Sequence, residues 1–419
     1  MGRRVPPSLC ARCKGYKRLC GLPFCPILER FRAHAATLTR LGSRDVKGST
    51  PPSVIVGERG YPRVPVLYGI PPGVSGSEAR LYDDPERWAR ERRPLRSIVE
   101  LRSSIVAGVD RFPVERPEKL YEAEISVAAV SEKPVDSEAI LEKPPTPSLR
   151  FDGMLTPQGP TAPAREIKVE SNPRLPRPLE KRIWDDARST ELMIELYREG
   201  VPVYTIISAL SLGLLGRARS RRLVPTRWAI SAVDQTLGDW MLHRVRVMDA
   251  LGAYEVYHAS YLGNRFTIIL IPGGYEAEMI EVWHPLTPWT RTAAKPVVYT
   301  VTEAPSLRTS VMDGGYLAAR LAVAEHLYHR RRQAAVLILR EITRDYYAPV
   351  GNWHIRETVR RALSRGPVGR FSSLEEALQA AAGYAMAPEA REALTRSRLA
   401  RRKRSQHRLD RYLGTSLKP

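Results

Sequence analysis

Apolar residues recur at helical spacing over Leu192, Ile194 and Leu196 in segment 183–199, which Gly200 closes, and segment 204–215 continues as a second, more buried helix. Pro225 fits the start of a helix carrying Ile230, Val233, Leu237, Trp240 and Met241 to about Leu251. Segment 317–331 is strongly periodic and predicts another, and Ser372 with Glu375 forms a capping-box start for a helix to Ala382. Strand patterns occupy 53–68, as two short strands around Gly57 and Gly60, and 253–271, 277–283, 297–301 and 334–342. Gly273-Gly274 predicts the turn of a small antiparallel hairpin. Asp84-Pro85 opens a charged amphipathic segment to Arg93, whereas 95–109 alternates too weakly to choose between helix and strand. Ten prolines across 132–180, from Pro134 to Pro178, deny a regular helix or central strand and predict a linker or an extended segment.

Charge changes this picture at the ends. Lys and Arg number 66 against 45 Asp and Glu, a formal charge of +21, and 43% apolar residues exclude wholesale disorder. Residues 1–40 and 396–411 together hold fifteen of the excess charges, a concentration that suits a polyanion such as nucleic acid. No apolar run reaches 18 residues and no apolar leader precedes the first cysteine, so an intracellular, cytoplasmic and nucleoid-associated protein without membrane partners is expected.

All four cysteines fall in one spacing, Cys10-x2-Cys13-x6-Cys20-x4-Cys25. Four thiolates supply a complete tetrahedral shell for a structural zinc ion, with an iron–sulfur cluster as the chemical competitor. The expected fold class is therefore α+β: a mixed helical body with a small antiparallel sheet, an N-terminal zinc module and an extended basic C-terminal tail. The expected divisions are a four-cysteine zinc-binding module at 1–48, the N-terminal part of the body at 49–131, the proline-rich segment at 132–182, the main body at 183–388 and the basic tail at 389–419.

Candidate chemistry is sparse. Arg217, Arg219, Arg221, Arg222 and Arg227 crowd the loop and first turn before the Pro225 helix, where the helix dipole also favours anions, and they predict phosphate contact; ion pairing with body carboxylates is the competing reading. Glu276, Glu278, Glu281 and His284 gather around the expected hairpin as candidate acid/base groups or ligands for a divalent metal, and alternating strand residues facing water would give the same pattern. Asp313 precedes a helix, and Glu325 with His329 stands four apart on it, a spacing that suits either a metal or a surface ion pair. Trp228, Trp240, Trp283, Trp289 and Trp353 could stack bases or fill cores. No nucleotide-binding glycine loop, zinc-protease helix or serine elbow is present.

The last segment carries the sharpest motif. Leu409, Tyr412 and Leu413 stand at i, i+3 and i+4, so one helical turn projects an apolar plug while Gln406 offers its amide to a separate pocket. This resembles the peptide by which replication and repair proteins dock onto the PCNA sliding clamp, with Leu413 at the second aromatic position. Leu9-Cys-Ala-Arg-Cys-Lys-Gly15, Leu19-Cys-Gly-Leu-Pro-Phe-Cys-Pro26, Arg221-Arg-Leu-Val-Pro-Thr-Arg-Trp228, Ala232-Val-Asp234, Val298-Tyr-Thr-Val-Thr-Glu-Ala-Pro305 and Asp313-Gly-Gly-Tyr316 then make most of the chain outside 75–180 resemble the archaeal Nre family of DNA repair proteins. The resemblance implies a role in repairing DNA damage, recruitment through PCNA and work beside nucleotide-excision proteins. It implies no reaction, so an enzyme acting on DNA and an RNA-binding protein stay open.

Overall fold

The structure, a computed structural model, describes residues 13, 17, 19, 25–41, 44–145, 158–287, 289, 290, 293–304 and 312–405. Its described residues divide into two compact units, a first within 6–240 and 347–357 and a second within 241–346 and 358–405.

The first unit is built on a six-stranded sheet of β1 (Asp45–Thr50), β2 (Val54–Val56), β3 (Arg63–Ile70), β4 (Val106–Pro113), β5 (Val135–Leu141) and β6 (Thr161–Val169), in the order β1-β5-β6-β4-β3-β2. Every pairing is antiparallel except β4 with β6. Successive side chains of a strand point to opposite faces, which is why Val64, Val66 and Tyr68 of β3 are buried while Arg63, Pro65 and Leu67 are not. The ambiguous 95–109 stretch holds a boundary: helix Leu95–Ser103 buries Leu95, Ile98 and Val99, and β4 follows after two residues.

The proline-rich segment, read as a linker or an extended segment with no central strand, supplies β5 and β6, both interior to this sheet. Pro163 is tolerated there because β6 changes partners around it. Residues 161–163 pair with β4 and residues 164–169 with β5, and the Pro163 carbonyl accepts from Glu142 N at 3.0 Å. A residue without an N–H can sit where only its acceptor is needed.

The second unit holds β7 (Tyr254–Tyr261), β8 (Asn264–Pro272), β9 (Ala277–Trp283), β10 (Val297–Glu303), β11 (Ala334–Ile342) and β12 (Gly369–Phe371), ordered β10-β9-β11-β8-β7-β12. The hairpin turns at Leu262-Gly263, both at positive φ (50° and 71°), and not at Gly273-Gly274. Strand β11 inserts between β8 and β9, antiparallel to one and parallel to the other. All nine of its residues are buried, consistent with a central strand covered on both faces. On one face Ala335, Leu337 and Leu339 join Ile269, Ile271, Ile280 and Val282 against Leu374, Leu378, Leu394 and Leu399 from three C-terminal helices. Fully burying each of the Val, Leu and Ile side chains contributes about 1.5–3 kcal/mol. Helix Leu374–Gly383 is capped by Ser373, whose hydroxyl accepts from Glu376 N, one residue later than the expected box.

Three parts of the expected fold class are corrected. The sheet is not small, because each unit has six strands. The tail is not extended through residue 405: helices Pro388–Thr395 and Arg398–Ser405 bury Ala390, Leu394, Leu399 and Ala400 against the second sheet. No zinc module is part of the described fold, since among the described residues no three His, Cys, Asp or Glu side chains come together as a metal-holding group. Cys13 is buried and Cys25, half-buried, precedes helix Pro26–Arg40, while Cys10 and Cys20 lie outside the described residues. Among the described residues, no helix is long and apolar enough to cross a membrane.

Candidate nucleic-acid interface

The arginine-rich loop belongs to the first unit and links helix Val203–Ser211 to helix Thr226–Val245. Its path is fixed by hydrogen bonds, two of them to residues far away in the sequence, that leave most of its cations exposed. Thr226 Oγ1 accepts from Val56 N at 2.9 Å and shares a hydrogen bond with Ser211 Oγ, which donates to Val224 O at 2.8 Å. Leu223 N donates to Val114 O, and Leu223 is buried. Gly216 adopts φ 117°, a conformation that L side chains rarely reach, and lets the chain turn into the single 3₁₀ turn Ala218–Ser220.

Within this loop the five arginines divide. Arg221 is half-buried, donating from Nε to Gly216 O at 2.9 Å and from Nη2 to Asp185 O at 3.1 Å, and burial lowers its pKa against the opposing pull of Asp186 and Asp185. It ties the loop's backbone in place. Arg217, Arg219 and Arg222 are exposed, and the hydrogen bonds of Arg222 run to the carbonyls of Arg219 and Arg221. Arg227 is exposed, with Glu58 at 3.7 Å, a separation at which a surface pair contributes about 0–1 kcal/mol. The loop packs on residues 185–186, where Asp186 accepts from Ala218 N at 2.7 Å. Sequence reasoning missed Trp184, one residue before this contact and 70% exposed; its signal was an indole set among Arg182, Asp185 and Asp186.

The acidic candidates are not brought together. Strand alternation puts Glu276 and Glu278 toward the C-terminal helices and Glu281 on the other face of the second sheet. Glu278, 2% exposed, accepts from Ser397 Oγ at 2.9 Å, Leu399 N at 2.6 Å and Arg398 N at 3.2 Å, capping helix Arg398–Ser405. Glu276 is bound by Arg402 and Lys403 of the same helix. Glu281 pairs with the buried Arg340, which also donates to Asn264 Oδ1 and lies over the Trp283 ring. His284 Nε2 lies 3.1 Å from Glu341, whose carboxylate also accepts from Met386 N and Ala387 N. Asp313 caps helix Gly314–Arg330 through Tyr316 N, and Glu325 is gripped twice by Arg360 while His326 and not His329 lies beside Tyr257.

Two further blocks singled out in the sequence resolve into buried networks. Glu303 accepts from Arg320 Nε at 2.7 Å and Nη2 at 2.8 Å, from Tyr316 Oη at 2.7 Å and from Tyr275 Oη at 3.2 Å. Burial pushes its carboxyl up, yet these donors hold it below the usual carboxylate range. In the first unit Asp234 pairs with Arg356, both fully buried, and the Arg356 guanidinium lies 5.2 Å from the Tyr204 ring centroid. Such networks fix a core's geometry.

A family model described as archaeal Nre, N-terminal, matches residues 19–290, and one described as archaeal Nre, C-terminal, matches residues 303–412. The chain belongs to the archaeal Nre family. It is 37% identical over 373 residues to the DNA repair protein NreB of Archaeoglobus fulgidus, covering 88% of this chain and 91% of that protein. To the DNA repair protein NreA of the same organism it is 36% identical over 374 residues, 89% and 92% of the two chains. To the DNA repair protein NreA of Haloferax volcanii it is 34% identical over 326 residues, 75% and 77%. No solved structure matches. The arginine-rich loop lies within the N-terminal Nre match, and the C-terminal match runs to Tyr412. Gln406, Leu409, Tyr412 and Leu413 lie outside the described residues.

Proposed function

We propose that this Nre-family chain is a DNA repair factor that works as an adaptor, tethered to the PCNA clamp by Gln406, Leu409, Tyr412 and Leu413 and touching DNA through the loop around Arg217, Arg219 and Arg222. The observation that carries it is that loop: three exposed cations on a fixed backbone, in a chain similar over most of its length to proteins named for DNA repair. Phosphate contacts from such cations give sequence-independent binding that weakens with salt. Arg221 positions the loop, and Arg227 adds a charge beside Glu58. Nucleotide-excision proteins are the partners the resemblance suggests for the complex on DNA.

The enzyme reading has weaker support, because Glu278, Glu281, His284 and Asp313 are each engaged in a cap or an ion pair. Two assays on the full chain test the adaptor. Leu409→Ala with Tyr412→Ala abolishes PCNA capture in a pull-down and leaves the thermal unfolding midpoint unchanged; undiminished capture contradicts the tether. Labelled DNA is bound by the wild type, and absence of binding at low salt contradicts the DNA contact.

A further inference from the structure

We propose that the arginine-rich face of the first unit is a platform for unpaired nucleotides, on which Trp184 and Trp228 stack exposed bases while Arg217, Arg219 and Arg222 hold the phosphates. The proposal deepens the DNA-contact reading and rests on it. Its starting observation is a contrast among tryptophans. Trp88 and Trp353 are 1% and 8% exposed and lie 5.6 Å apart in the core of the same unit, whereas Trp184 is 70% and Trp228 60% exposed. An indole is among the largest apolar groups a chain can bury, so two left in water beside one cationic loop mark a surface that a ligand covers.

Both indoles are tied to the loop. Trp184 immediately precedes Asp185 and Asp186, which receive Arg221 Nη2 and Ala218 N. Its ring lies 5.5 Å from that of Tyr121 between centroids in a T-shaped arrangement, and the residue as a whole stays 70% exposed. Trp228 follows Arg227 in the first turn of helix Thr226–Val245, the turn anchored by Thr226 to Val56 and Ser211. Five residues lie between Arg222 and Trp228, a reach of at most about 22 Å, so one short oligonucleotide can meet both charge and ring. The anchoring orders these groups in advance, which lowers the entropic cost of binding.

The rings decide what kind of nucleic acid fits. A duplex offers phosphates to the arginines but keeps its base faces stacked on one another. Unpaired bases offer π-faces to aromatic side chains and phosphates to the cations at once. Exposed Lys181 and Arg188 flank Trp184 and add to the positive field, and Asp186 and Glu58 reduce it without cancelling it.

The test is fluorescence anisotropy of labelled oligo(dT), a duplex of equal length and oligo(rU), titrated at fixed salt with full-length wild type, Trp184→Ala, Trp228→Ala and Trp228→Phe. The proposal expects tighter binding to oligo(dT) than to duplex, and a loss of about fivefold to 100-fold on oligo(dT) for each alanine variant. Duplex binding should change less than twofold, and phenylalanine should recover most of the loss. Because both residues are largely exposed, unfolding midpoints should match the wild type. Alanine variants that bind oligo(dT) like the wild type overturn the stacking platform while leaving the DNA contact standing. A preference for oligo(rU) above tenfold overturns the assignment to DNA, and failure to bind any of the three removes the DNA-contact reading together with this one.

Discussion

The loop around Arg217 and the stretch from Glu276 to His284 are both dense in charge, yet one is open and the other is closed. Every charged side chain of the acidic stretch meets an opposing group: Glu276 holds Arg402 and Lys403, Glu278 caps a helix, Glu281 pairs with Arg340 and His284 faces Glu341. The basic run Arg402-Lys403-Arg404 is drawn in as well, with Lys403 11% exposed and Arg404 3.3 Å from Glu375. Arg217, Arg219 and Arg222 instead face solvent, with Arg222 bonded to carbonyls of its own loop. Charge density along a sequence therefore says little about whether that charge is available. Availability is set by what the fold brings opposite.

The comparison breaks most sharply at buried pairs. Glu281→Ala leaves Arg340 desolvated without its carboxylate and should cost about 3–5 kcal/mol in urea unfolding; a cost below about 1 kcal/mol would mean that the closed stretch is not structurally closed. Glu278→Ala removes three accepted hydrogen bonds from the start of helix Arg398–Ser405 and should cost about 1–3 kcal/mol. Faster amide exchange confined to that helix would accompany it.

Acid should act on the second unit with a definite sign. His258 and His326 are lowered to about 4, in both cases chiefly by burial. The unfolded chain therefore takes up protons first, and stability should decline as pH falls from about 6.5 to 4. Burial pushes Glu255 up, but Arg330, Tyr257 and Arg370 hold it at about 2, so its contribution is present above the unfolded value and is lost as pH falls toward 2. His326→Gln should flatten the decline between pH 6.5 and 4, and a urea midpoint constant across that range contradicts this account. The smallest stability effect belongs to the open loop: Arg217→Ala, Arg219→Ala and Arg222→Ala should each shift the midpoint by less than about 0.5 kcal/mol.

Much of the element order is legible in the chain. The helix that follows Pro225, strand 334–342 and the helix over 317–331 are visible in the apolar content and breakers of their own segments, even though strand 334–342 is buried at every position. What is lost is long-range. Nothing local to Gly273-Gly274 reveals that β11, over sixty residues later, inserts between β8 and β9 and moves the hairpin to Leu262-Gly263. Proline content at 132–180 suggests a linker or an extended segment and argues against a central strand because it counts missing donors, while the sheet at Pro163 uses only an acceptor. At the candidate interface the arginines are visible as a cluster, but composition cannot separate the half-buried Arg221, held by the carbonyls of Gly216 and Asp185, from the exposed Arg217, Arg219 and Arg222. Nor can it tell an exposed Trp228 from a buried Trp353.

The most direct measurement is the salt dependence of oligo(dT) binding by the wild type and by a triple Arg217→Ala, Arg219→Ala, Arg222→Ala variant. Each phosphate contact on a single strand contributes about −0.7 to the slope of log K against log salt. The triple variant should lose about 2 from that slope with its unfolding midpoint unchanged. An identical slope in the two proteins would show that the open loop does not meet phosphates and would contradict the account.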